Sequence, residues 1–234
     1  MSPTSDPAHR PTATAPFPSV EVVADGCLIA SHRMSEWVSS APTMEEDVAL
    51  GNIALDLLGQ ARGLLSHLGD EDQLAYFRDA TDFRNPTICE LPNGDFGHTV
   101  LRAVFVDAWL GRVWHAWLTD GDDVVRGVAE KAVKENAYHR RHSSAWVIRL
   151  GDGTDESHRR MLAALAQLWP YVAEIAVEGW LDDVAGVLAE ATLPMPTGPE
   201  TDVEWGSRGQ HTPCLAELLA ESQSLAREHP GATW

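Results

Sequence analysis

The chain has 234 residues, with 17 Lys and Arg against 35 Asp and Glu, a formal charge of −18, and 44% hydrophobic residues. The hydrophobic share suits one folded domain with a sizeable core and argues against an unstructured chain. The acidic excess argues against nucleic acid and anionic membrane as partners, because both polyanions demand a basic face. Cys27, Cys89 and Cys214 are odd in number and share no C-x-x-C, so neither a disulfide framework nor a thiolate metal site is expected, and a reducing cytosol is.

Residues 1–20 hold five prolines with Ser, Thr and Ala but no apolar core segment. They lack the charged start and apolar centre of a secretion signal, and 1–24 reads as a disordered tail on a cytoplasmic protein. From there to the end, 25–234, the chain reads as one helical domain. A first helix is expected over 27–39, stopped before Pro42. Thr43 reads as an N-cap with Glu45, Glu46 and Asp47 in the first turn, where the helix dipole favours carboxylates. Val48, Ile53, Leu57, Leu58, Ala61, Leu64 and Leu65 then recur at helical spacing up to Gly69.

A short helix is expected over 71–79, followed by loop from Asp82 to Asp95 around Asn85-Pro86 and Pro92-Asn93-Gly94. Long helices follow over 96–118, with Trp109, Trp114 and Trp117 on broad apolar faces, and over 122–149. Gly151-Asp152-Gly153 makes a turn, and Thr154 starts another helix that runs to Trp169. Two shorter helices are expected over 170–178 and 181–191. Residues 192–212, with Pro194, Pro196, Pro199 and three glycines, read as an extended wrapping segment. A last helix covers 213–228. No period-2 strand pattern interrupts the series, so the class is all-α: an antiparallel bundle of four long helices with additional helices at the C-terminus.

Two segments place polar groups on helices that must also build the core: Ile53-Ala-Leu-Asp-Leu-Leu-Gly-Gln-Ala61 and Lys134-Glu-Asn-Ala-Tyr-His-Arg-Arg-His142. Asp56/Gln60 and Glu135/His139 are pairs four apart, and each pair shares a helix face. A di-iron carboxylate bundle needs Glu-x-x-His on two helices and one Glu on each of the other two. No Glu-x-x-His occurs in the long helices. The plainer reading makes Glu135 and Arg140-Arg141 solvated, Asp56 and Gln60 hydrogen-bonding groups at the core edge, and His139 a hydrogen-bonded interior histidine. The tryptophans read as core or interface material. The rival is an unorthodox metal site assembled from Asp56, Gln60, Glu135, His139 and Asp107.

The strings Ala49-Leu-Gly-Asn-Ile-Ala-Leu-Asp-Leu-Leu-Gly-Gln-Ala-Arg62, Phe83-Arg-Asn85, Pro92-Asn-Gly-Asp-Phe96 and Trp146-Val-Ile-Arg-Leu-Gly-Asp-Gly-Thr-Asp-Glu-Ser-His-Arg-Arg-Met161 resemble the C subunits of bacterial phenylacetyl-CoA 1,2-epoxidases, and the similarity extends over nearly everything from Asp25 onward. The resemblance implies a ferritin-like fold and a structural role in aerobic phenylacetate catabolism. It implies a hetero-oligomer in which a sister A subunit holds the di-iron site, with a small B subunit and a flavin and iron–sulfur reductase, supplied by NADPH, as further partners. No metal or other cofactor and no catalytic residue is then expected in this chain itself. In the catalytic sister the corresponding helices resemble Asp-Glu-Leu-Gly-His and Lys-Glu-Glu-Ser-Phe-His. Laid on this sequence, the four ligand positions fall at Leu57, Gln60, Asn136 and His139, so three have lost their ligand chemistry. A one-residue shift would restore only Glu135. Self-association as a free-standing bundle is the remaining alternative.

Overall fold

The computed structural model describes residues 15–197 and 205–232. Among these residues it is all-α, with ten α-helices and no strand: α1 Val20–Ser35, α2 Met44–Leu68, α3 Glu71–Tyr76, α4 Thr87–Glu90, α5 Phe96–Asp120, α6 Asp123–Gly151, α7 Asp155–Leu168, α8 Trp180–Glu190, α9 Pro213–Ser222 and α10 Ser224–Glu228. Among the same residues no helix is long and apolar enough to cross a membrane.

Capping side chains set most of the long helices' starts. Thr43 Oγ1 accepts from Glu46 N, Asp95 from His98 N, Asp122 from Val124 N and Val125 N, and Thr154 from Ser157 N. These residues are legible in the sequence, and α2, α5, α6 and α7 lie close to where periodicity placed them. The first helix does not. Ser19 caps it through Val22 N, so it begins at Val20 instead of 27. Val23, Ala24 and Asp25 are buried in it, so the expected tail boundary at residue 24 falls inside α1, while residues 1–14 lie outside the described part.

The four long helices close a ring in the order α1, α2, α6, α5, each antiparallel to its neighbours. Ser31 donates to Ala54 O between α1 and α2. Between α2 and α6, Glu46 meets His142 and His67 meets Asp122. Between α5 and α1, a Cβ on Gly26 would lie 3.1 Å from the Trp109 ring, so the glycine lets the indole pack directly onto α1. The connection from α2 to α5 is the long one, and the two hairpins α1–α2 and α5–α6 give the bundle the ferritin-like layout.

Helix α5 is buried on nearly every side from Gly97 to Trp114, because α7 and α8 cover the face left open by α1 and α6. Trp180 of α8 seals this contact by donating to Phe105 O at 2.9 Å. Eight tryptophans fall within the described residues; Trp109, Trp114, Trp117, Trp169 and Trp180 are buried and Trp37, Trp146 and Trp205 half-buried. The expected helix over 170–178 is instead a 3₁₀ segment, Trp169–Glu174. The last expected helix is divided near Gln223, whose amide donates to Ala75 O and Arg78 O. Of the expected wrapping segment, 192–197 and 205–212 contain no α-helix, and 198–204 lie outside the described residues.

One buried charge sits where α1 meets the α2–α5 connection. Asp25 is fully buried, and burial pushes its carboxyl above the ordinary range against the opposing pull of Arg78. Arg78 grips it with both terminal guanidinium nitrogens, Arg84 N donates to it at 2.8 Å, and the same guanidinium lies over the Phe83 ring. Breaking such a pair leaves one charge uncompensated, which costs about 3–5 kcal/mol. Arg78→Ala is therefore expected to lower the unfolding free energy measured in urea by an amount in that range. An unchanged value would show that the contact carries no stability.

Candidate functional site

The candidate site lies at the centre of the ring, where α2 presents Asp56, Leu57 and Gln60 and α6 presents Glu135, Asn136 and His139. The four-residue spacing turns each pair of polar residues toward the opposite helix, and the two helices engage rung by rung. Asp56 Oδ2 meets His139 Nε2 at 3.2 Å. Gln60 Nε2 donates to Glu135 Oε2 at 3.0 Å, and Gln60 Oε1 accepts from Cys27 Sγ of α1 at 3.7 Å. Glu135 also holds Lys131 Nζ at 3.0 Å. It is thus drawn into the seam, contrary to its expected solvated position.

The other half of the site faces α5. Asn136 Nδ2 donates to Asp107 O at 3.1 Å, and Ser143 Oγ donates to Asp107 Oδ2 at 2.9 Å. A Cβ on Gly111 would stand 2.7 Å from Asn136 Oδ1, so the glycine makes room for the amide between α5 and α6. His139 is 1% exposed and its Nδ1 has no hydrogen-bond partner among the described residues, whereas Asp56 opposite it remains 34% exposed and reaches solvent. Leu57 is buried beside them and contributes only packing.

Electrostatics follow from burial. Desolvation raises the Asp107 carboxyl to about 6, opposed by His139, the Ser143 hydrogen bond and the more distant Arg140 and His142. Burial raises the Cys27 thiol well above its ordinary value, so it behaves as a small apolar group with a weak donor.

These residues do not fit a pair of irons. Of the four residues that the resemblance lays on metal ligands, Gln60 and Asn136 are neutral amides and Leu57 has no donor, and the acidic groups nearby are committed to His139, Gln60, Lys131 and Ser143. Among the described residues no three His, Cys, Asp or Glu side chains are grouped as metal ligands. The rival set is brought together only in pairs: Asp56 with His139, and Gln60 with Glu135, while Asp107 turns toward Ser143. Arg140 is not free on the surface either, since it shares Asp183 of α8 with Arg112.

Sequence reasoning missed a second polar centre in the α2–α5 connection. Residues 87–90, read as loop, form α4, and Glu90 on it is fully buried. Its carboxylate accepts from Asn85 Nδ2, His211 Nδ1 and Thr212 N, while its carbonyl accepts from Arg33. The neighbouring Asn93 bridges Arg33 O, Glu36 and Arg102. Asn85 and Asn93 stand in the strings Phe83-Arg-Asn85 and Pro92-Asn-Gly-Asp-Phe96, the one sequence signal in this region. Those strings did not disclose the partners, which lie as far away as His211.

Comparison with known proteins places this architecture. The family described as "Phenylacetic acid catabolic protein" matches residues 2–178 and 176–234. The chain is also 39% identical over 237 residues to the C subunit of the 1,2-phenylacetyl-CoA epoxidase of Escherichia coli (strain K12), an alignment that covers 90% of this chain and 95% of that relative. The chain belongs to the phenylacetic acid catabolic protein family.

Asp107 offers a direct check on the site's electrostatics. Its folded value, about 6, lies above the ordinary 3.8, so between those pH values the folded chain holds a proton that the unfolded chain releases. Stability therefore falls as pH rises from about 4 to about 6. The difference corresponds to about 3 kcal/mol at most. Asp107→Asn keeps an acceptor for Ser143 and removes the ionisation. It is expected to flatten the stability profile over that window and to raise stability at pH 7, as read by urea denaturation at a series of pH values.

Proposed function

We propose that this chain is the non-catalytic, structural C-type subunit of a phenylacetyl-CoA 1,2-epoxidase complex in aerobic phenylacetate catabolism. Its role is to pair with and stabilise a di-iron A subunit, which performs the oxygen insertion with electrons from a flavin and iron–sulfur reductase. The observation that carries this reading is the seam between α2 and α6. The positions that would bind metal hold Leu57, Gln60 and Asn136, and the polar groups around them bond to one another across the helices. A centre of this kind stabilises a bundle and offers no open coordination position for substrate or oxygen.

A structural subunit needs a face on which a second protein can sit. The outer side of α2 exposes Met44 (80%), Val48 (59%) and Leu55 (66%), with Val38 and Tyr138 on either flank. Beside this stripe, α1 and α2 form a groove of about 420 Å³ in which Asp47 is the only charged lining residue, and Asp47 is already bonded to Ser39 N. On a chain of charge −18 this strip is a region of low charge density on which apolar contact with another protein can form. The face is mainly aliphatic and carries no tryptophan.

Co-expression with the A subunit of such a complex should give an assembly that co-elutes on size exclusion. Metal analysis should place the iron with the A subunit and find none at stoichiometric level on this chain purified alone. Iron near two equivalents on the isolated chain would sink the structural reading, and failure to co-elute would favour a free-standing bundle. Leu55→Arg is expected to abolish co-elution while leaving the melting temperature of the isolated chain unchanged. Intact co-elution would move the interface to another face.

A further inference from the structure

The C-terminal segment from Trp205 to Glu228 crosses back over the α2–α5 connection, and Glu174, Thr87 and Glu90 hold the polar fastenings of its first part, 205–212. Glu174 accepts from Ser207 N at 2.9 Å, from Ser207 Oγ at 2.8 Å and from Thr87 N at 2.7 Å. Gly206 N donates to Thr87 Oγ1. Glu90, fully buried, accepts from Thr212 N and His211 Nδ1, each at 2.7 Å. The other ring nitrogen, His211 Nε2, stands 3.0 Å from Phe83 O.

The ring geometry is decisive. A carbonyl oxygen carries no proton. The Glu90 carboxylate is already accepting from Asn85 Nδ2 on the same oxygen that faces His211. Both ring nitrogens therefore face acceptors, and only an imidazolium has two N–H groups to offer. A neutral ring would set one lone pair against an oxygen at hydrogen-bonding distance.

We infer that His211 is a proton-dependent latch: as an imidazolium it ties residues 205–212 to Glu90 and to the Phe83 carbonyl, and loss of that proton to water loosens the C-terminal segment while the four-helix ring stays folded. The latch is a conformational device within this chain and does not depend on the proposed role in an epoxidase.

The surroundings favour the charged ring. Glu90 from α4 contacts it and Glu174 from the 3₁₀ segment lies near. On the opposing side, Arg33 of α1 is spent on Glu90 O and Glu36, and Arg84 on Thr81 O and Phe83 O. Asp25 and Arg78 neutralise each other beneath. Burial works against the charged ring. The Glu90 and Phe83 hydrogen bonds and the two carboxylates outweigh it, so the ring's affinity for its proton is raised above the ordinary 6.5. The latch is therefore complete below pH 6.5 and is lost as pH rises through the elevated folded value.

The experiment uses the full wild-type chain. Hydrogen exchange of backbone amides, followed by mass spectrometry from pH 6 to pH 9 and corrected for intrinsic rates, should show protection in 205–222 falling at least ten-fold as pH rises, with α5 and α6 unchanged. Nitrogen NMR of the histidine rings should show both His211 nitrogens protonated at pH 6.5. His211→Gln, which offers one donor group, should show the low protection of 205–222 at every pH. If that variant does not fold, the two wild-type measurements decide. A neutral His211 ring at pH 6.5, or protection of 205–222 that does not change with pH, overturns the latch.

Discussion

A polar side chain on the inner face of a helix bundle must find its partner on a neighbouring helix, because its own helix has already used the local backbone groups and water is excluded. That constraint organises this protein. It pairs Asp56 with His139 and Gln60 with Glu135 across α2 and α6, and it joins α6 to α5 through Asn136, Ser143 and Asp107. The same rule sets α1 against the α2–α5 connection through Asp25 and Arg78. The apolar core fills the ring, but these pairs fix the register of one helix on the next.

The central seam shows how a bundle of this kind holds polar side chains at its centre without a metal. A carboxylate or imidazole buried there without a metal needs another partner. Here the second helix offers a leucine, which needs none, and a glutamine, which bonds in both directions to Cys27 and Glu135. Helix α6 retains His139 but turns its Nε2 to Asp56. The seam is uneven. One rung joins Asp56 to His139 and reaches solvent at Asp56, while the other runs from Cys27 of α1 through Gln60 to Glu135 and Lys131.

The second polar centre solves a different problem. The connection between α2 and α5 is too long and too irregular to pack as a regular element, and its backbone groups need partners from elsewhere. Partners come from around it: Arg102 of α5 donates to Leu91 O, Arg33 of α1 donates to Glu90 O, and His211 of the C-terminal segment faces Phe83 O. The chain's last portion thus covers its most irregular region, held both by these polar bonds and by Leu215, Leu218 and Leu219 of α9, which are buried in the core.

The sequence by itself determined the all-α class, the four long helices and most of their starts, because caps such as Thr43, Asp95, Asp122 and Thr154 and a 3.6-residue apolar period are local signals. It also determined that Leu57, Gln60 and Asn136 cannot serve as carboxylate or imidazole ligands, since that follows from residue type alone. Only the tertiary structure decided what those residues do instead. Glu135 reads as a surface residue on its own helix and becomes an interior one because Gln60 stands opposite it. Helix α4 and the role of Glu90 were illegible because their causes lie on His211 and Thr212, 121 and 122 residues further along the chain. The early start of α1 was hidden for a related reason. Ser19 is a local cap there, but the burial of Val23, Ala24 and Asp25 that keeps this first turn in the bundle is visible only in the packed chain. Local chemistry fixes where helices begin and which atoms a site can offer, whereas the partner of each buried polar group is a property of the packed chain.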